Sequence, residues 1–155
     1  MTPTRRFLAV LLLAALGAQA AVIEVPFQRN ATRDAILLEA RVNGKNVVLL
    51  LDTGASHTVL DKSVAGLTAF DLKQSRFKQT GPGLRGEAVW ARVGLRLGPK
   101  VWRDRAVVVM DLSEVSRVYG RRIDGILGQD VLTEFDQVTI DFKAKIIRFG
   151  RPSDR

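Results

Sequence analysis

The chain contains no cysteine and a single histidine, and after its first twenty residues it has no apolar run of the roughly 20 residues needed to cross a bilayer. The first absence excludes disulfides, even in an oxidising compartment, and thiol catalysis with them. A packed apolar core must therefore hold the fold unaided. With only His57 available, a transition-metal site would have to be built from carboxylates. No acidic cluster has recognisable ligand spacing, so neither metal nor cofactor is implied. Ser56 stands beside His57, but adjacency in sequence does not make a hydrolytic triad, which depends on spatial geometry. A surface or packing role is expected for His57. Internal repeats and low-complexity tracts are also missing.

The first apolar run has the three parts of an export signal. Arg5 and Arg6 form a basic start, Phe7 to Leu16 an apolar centre, and Ala18-Gln19-Ala20 a small-residue cleavage site. An uncleaved anchor is the competing reading, but the run is too short to span. Phe7 follows the arginine pair directly, which fits ordinary secretion better than twin-arginine export. Cleavage after Ala20 would leave residues 21–155 as one domain, exported to a periplasm or secreted. It would also lower the formal charge from +8 to +6. The remaining charges are scattered, which favours a solvated surface over a polyanion-binding patch. No nucleic-acid partner and no stable membrane span are expected of the mature chain.

The rest reads as all-β, in short strands divided by Gly, Pro and charged turns. Ile36 to Val42 and Val47 to Leu51 flank Asn43-Gly44, the strongest short hairpin signal. Further strands are predicted at Ala88 to Leu97, Arg105 to Met110, Gln137 to Asp141 and Ile146 to Phe149, with one short helix at Gln129 to Phe135. Ser113 to Arg122 reads as a polar connection with room for a helical turn. Residues 21–35 could wrap the body or add an edge strand. Trp90 and Trp102 lie on or beside strands and are expected in the core, with support of a hairpin tip as the other role open to Trp90.

Three stretches carry candidate chemistry. Val47 to Leu51 is wholly apolar and delivers Asp52 to its end, where a buried carboxylate would need a proton, a partner or a hydrogen-bond donor. Thr53 and Gly54 supply a hydroxyl and a tight turn. Thr80 to Gly86 holds Gly81, Gly83 and Gly86 around Leu84 and Arg85, a hairpin tip that could cover a ligand or merely connect strands. Ile126-Leu127-Gly128 is slim enough to lie beside the strand that bears Asp52.

Together Asp52-Thr53-Gly54-Ala55-Ser56 and Ile126-Leu127-Gly128, the latter ending 76 positions after Asp52, resemble the motifs of the retropepsin-like aspartic proteases. The resemblance implies a single-lobe β-barrel with one short helix and no cofactor. It also implies peptide hydrolysis by water activated between two carboxylates, one charged and one protonated. Only one Asp-Thr-Gly turn is present; Asp124-Gly125 lacks the intervening hydroxyl residue. A homodimer pairing Asp52 of each subunit is the natural completion, with Asp124 as the second acid of a monomer the other. By the same resemblance Thr53 supports the paired turns, Gly54 contacts substrate backbone, and Gly81, Gly83, Leu84, Arg85 and Gly86 form a flap over an extended peptide. The competing function is a peptide-binding or structural module that keeps the fold without turnover.

Two positions depart from the viral pattern. Ser56 and Gln129 stand where viral members tend to carry Asp and Arg, so neutral groups replace a charged buttress. Ala55 stands where several cellular relatives carry a hydroxyl that can donate to the catalytic carboxylate. Without that donor, the native chain is expected to have a less acidic pH optimum than an Ala55→Ser variant.

Overall fold

In a computed structural model, residues 22–64, 76–81 and 84–150 are described. The proposed signal, residues 1–20, and Gly83 of the hairpin tip lie outside them. Ten strands form the body: β1 (Ile23–Asn30), β2 (Ala35–Val42), β3 (Lys45–Leu51), β4 (Val59–Asp61), β5 (Arg76–Gly81), β6 (Leu84–Leu97), β7 (Lys100–Met110), β8 (Gly125–Leu127), β9 (Val138–Asp141) and β10 (Ile146–Phe149). Their order is β5-β6-β7-β4-β8-β3-β2-β1-β10-β9. An extra pairing of β6 with β2 closes the middle six into a barrel.

Local sequence explains the framework. Asn43 and Gly44 both take positive φ, 48° and 83°, which suits a tight two-residue turn whose twist matches the flanking strands. β2 and β3 then pair from Val42 opposite Lys45 to Leu37 opposite Leu50. The apolar run of β3 is continuous because both of its faces are covered. Val47 and Leu49 enter the barrel core with Leu38, Leu60, Val107, Val109 and Leu127. Leu50 faces the other way, into a second cluster with Leu37, Val59, Val108, Met110, Leu112, Val115, Ile123 and Ile126. Neighbouring residues on β2, β7 and β8 divide between the two clusters in the same alternating manner.

Several expectations change. Residues 21–35 supply β1, which pairs with β10 through Ile23–Pro26 and with β2 through Phe27–Asn30. Among the described residues there are two helices rather than one: α1 (Ser113–Val118) and α2 (Gln129–Leu132). Helix α2 stops short of Phe135, whose ring packs at 5.0 Å against Phe149 in the core. Strand β4 is only three residues long and carries no alternation to betray it. Trp90 is 40% exposed, not a core residue. Its ring meets His57 edge-on at 5.1 Å, so the lone histidine has a surface packing role. Trp102 is partly buried against the barrel core, with its indole N–H donating to Glu134. Among the described residues no helix is long and apolar enough to cross a membrane.

Candidate active site

The candidate site lies where β3 ends, and β8 holds it in place. Strand β8 runs parallel to β3, with Leu49, Leu50 and Leu51 beside Gly125, Ile126 and Leu127, and it is antiparallel to β4 on its other side. The Asp52 N–H donates to Leu127 O at 3.1 Å and carries the ladder one step beyond the strand. The Gly54 N–H then turns back to Asp52 Oδ1 at 2.8 Å. Among the described residues Oδ2 accepts no hydrogen bond, so half of the carboxylate is uncommitted. The fully buried acid expected from the apolar run is not found. Asp52 is half-buried and Ala55 likewise, while Thr53, Gly54 and Ser56 are exposed. The strand is enclosed on both faces, but it ends at the molecular surface.

Gly128 fits the buttress role because of space. A methyl group there would meet the His57 carbonyl carbon and oxygen at 2.6 Å and Ala55 O at 2.9 Å. The turn after Asp52 thus packs directly on the backbone of the second motif. The Gln129 N–H donates to Ala55 O at 2.8 Å and the Asp130 N–H to Ser56 O at 3.2 Å. The Gln129 side chain adds a bond from Nε2 to Thr53 O at 2.7 Å. A neutral amide therefore reaches across to the turn from the position where an arginine was the viral expectation.

A charged buttress does exist, built from residues that the sequence did not single out. Thr58 is fully buried; its hydroxyl accepts from the Gly128 N–H at 3.3 Å and donates to Asp130 Oδ1 at 2.8 Å. Asp130 Oδ2 lies 3.3 Å from the Arg105 guanidinium, which also donates to Asp130 O and pairs with Glu134. Glu134 holds the Trp102 indole at 2.8 Å. This chain of contacts ties β7 to α2 and, through Thr58, to Gly128 beneath the turn. A Thr six positions after Asp52 with an Asp two after Gly128 was the only sequence signal.

Asp124 is placed elsewhere. Parallel register sets it beside Val48, four positions before Asp52 and about 13 Å away along the strand. It is 6% exposed, and its carboxylate accepts from the Val48 N–H at 2.9 Å and from Arg122. It cannot complete a dyad within one chain. At the other candidate element, β5 and β6 form an antiparallel hairpin with Gly81 opposite Leu84, and Arg85 and Gly86 continue β6. The strands on either side of the tip thus pair as expected, and β6 also carries Trp90.

A family model described as aspartyl protease matches residues 38–131, which run from within β2 into α2 and take in Asp52, Thr58, Arg105, Gly128 and Asp130. The chain belongs to the aspartyl protease family. Among solved structures it is similar to a retropepsin-like aspartic protease from Rickettsia conorii, at 22% identity and a TM-score of 0.56, over 83% of this chain and 91% of that one. It is also similar to the retroviral protease-like domain of Ddi1 from Leishmania major, at 19% identity and a TM-score of 0.48, over 74% of this chain and 87% of that one. No curated protein matches the sequence. The fold expectation, an all-β retropepsin-like barrel, agrees with the likeness to the Rickettsia structure; the second helix is the departure from it.

Proposed function

We propose that the protein is an aspartic endopeptidase whose active form is a homodimer, with Asp52 of each subunit meeting at the two-fold axis. The observation that carries this reading is the Asp52 turn itself: a carboxylate with one oxygen fixed by the Gly54 N–H, at a surface, with Thr53 and Gly54 exposed beside it. Two such groups brought together would share one proton, because adjacent like charges resist joint ionisation. The charged member would take a proton from a water attacking the peptide carbonyl. The protonated member would stabilise the developing oxyanion, and the departing amine would then be protonated. The substrate would lie extended beneath the β5–β6 hairpins, and residues 1–20 would direct export before cleavage after Ala20.

A second reading has one observation behind it. A single chain holds one accessible Asp of this kind, since Asp124 is committed and distant. A monomer would therefore bind peptide without cutting it. Sedimentation of the mature protein, run beside peptide-library digests at several pH values, separates the two. The endopeptidase reading requires cleavage that grows with dimer fraction and vanishes in Asp52→Asn. Cleavage by a protein that stays monomeric at every concentration would defeat the dimer. The pH series also tests Ala55: the Ser variant should work best at lower pH than the native chain, and superimposable profiles would remove that role.

A further inference from the structure

At the far end of β3 from Asp52, two arginines face each other across the pairing that closes the barrel. Arg41 on β2 is the direct partner of Arg96 on β6. Like charges directly opposed on neighbouring strands are destabilising, and among the described residues neither guanidinium has a carboxylate within salt-bridge distance. Both side chains are nevertheless anchored. Arg41 Nε donates to Asn46 Oδ1 at 2.9 Å, and Arg96 Nε donates to Gly98 O at 3.1 Å. These bonds use the inner nitrogen of each fork and leave the terminal nitrogens for another acceptor. Arg41, Arg96, Asn46, Glu39, Val48 and Gly98 line one open groove of about 490 Å³, a volume within the range of ordinary ligand sites. Asp124 also borders it, but its carboxylate is already committed to Val48 and Arg122.

We infer that this groove is an exosite that grips an acidic side chain of a polypeptide substrate, with a carboxylate held between the Arg41 and Arg96 forks. Planar guanidinium pairs match carboxylates in geometry and charge. Glu39, two positions from Arg41 and also in the lining, disfavours a compact dianion such as phosphate and favours a singly charged group on a peptide. The mature chain stays basic, at +6 from the +8 of the full sequence, and would draw such a segment in from solution. Asn46 precedes Asp52 by six positions, so the groove lies about 20 Å from the catalytic turn along β3. Bridging that distance takes about six extended residues. As an exosite the groove rests on the endopeptidase reading, but its occupancy is measurable without turnover.

The test is fluorescence anisotropy with mature Asp52→Asn protein and a labelled peptide carrying an Asp-Glu-Asp-Glu tract, against a twin in which these are amides. The acidic peptide should bind and the twin should not. Adding Arg41→Gln and Arg96→Gln should weaken binding by about tenfold or more. A control with Arg33→Gln and Arg117→Gln, which removes the same charge elsewhere, should stay within about twofold. Removing the opposed arginines should leave the melting temperature unchanged or raised. Should the Gln pair fold poorly, the Lys pair keeps charge but loses the forks, and it too should bind more weakly. Equal losses in the groove and control variants would reduce the effect to net charge and overturn the proposal. So would displacement of the peptide by inorganic phosphate at equal concentration, which would assign the groove to small anions. If binding behaves as expected while the protein with native Asp52 cleaves no peptide at any pH or concentration, the groove stands and the endopeptidase reading falls.

Discussion

Asp52 and Asp124 occupy opposite ends of the same pair of strands, and their surroundings are nearly inverse. Asp124 precedes β8 and is 6% exposed; its carboxylate is taken up by Val48 and Arg122, and its own N–H and C=O bind Val48 O and the Asp61 N–H. Asp52 follows β3, reaches the surface, and has one carboxylate oxygen held by its own turn. Burial alone would have chosen Asp124. The distinguishing property is unspent hydrogen-bonding capacity in a fixed place: a carboxylate with both oxygens engaged locks a strand, whereas one with a free oxygen can engage a reactant.

That comparison is most strongly tested by treating both acids alike. Asp52→Asn should lower peptide cleavage by about a thousandfold or more while moving thermal stability little. Asp124→Asn should do the reverse: keep cleavage of the folded fraction and lose about 1–3 kcal/mol of stability, because the Val48 N–H loses its charged acceptor and Arg122 its partner. Parallel melts and rate assays measure both. Loss of turnover in a fully folded Asp124→Asn protein would break the contrast.

Next comes the packing beneath the turn. Gly128→Ala would place a methyl group 2.6 Å from the His57 carbonyl, with backbone on that side rather than a side chain that could swing away. The Asp52 turn must then shift, and displacements on the order of 1 Å in catalytic geometry can cost about a hundredfold. A drop in kcat with KM nearly unchanged is expected. Native kinetics in Gly128→Ala would show that the second motif does not position the turn.

A smaller effect is expected from the charged support. In Asp130→Ala the Thr58 hydroxyl loses its acceptor and the Arg105 guanidinium is left partly buried with Glu134 as its remaining counter-charge. About 2–4 kcal/mol of stability should be lost. Arg105→Met together with Asp130→Leu should recover part of it, because removing both partners spares the cost of one unpaired charge. Such recovery of fold without recovery of kcat would mark Asp130 as a positioning residue for the turn; recovery of both would reduce it to a structural one.

How far the sequence revealed this arrangement follows from which forces are local. The Asn43-Gly44 hairpin, the strands it joins and the Asp52 turn were legible because turn chemistry and apolar runs act over a few residues. The buttress at Ile126-Leu127-Gly128 was legible only through family resemblance, since nothing local says that Gly128 will meet His57. β4 and β1 were not readable from periodicity: β4 is three residues long, and β1 owes its place to pairing with both β2 and β10. Trp90 was misplaced because residue type argued for the core, whereas its register on β6 turns it outward to His57. The Thr58–Asp130–Arg105 link joins residues far apart in sequence and became visible only when β7 and α2 were brought together.

The smallest effect concerns the Lys62–Asp111 pair, and it sharpens the same contrast between spent and unspent carboxylates at the surface. Asp111 accepts from Lys62 Nζ and from the Ser113 N–H, and these bonds, the Lys62 one foremost, hold its carboxyl well below the usual carboxylate range. A group whose folded pKa is depressed adds stability above its unfolded pKa and loses it as pH falls toward the folded value. Lys62→Met should therefore lower the melting temperature slightly at neutral pH, with the gap to the native chain closing as acidity protonates Asp111. Both side chains are about half exposed, and solvent screening keeps such pairs weak. A gap that stayed constant down to strongly acidic pH would assign the effect to lost packing of the lysine stem rather than to charge.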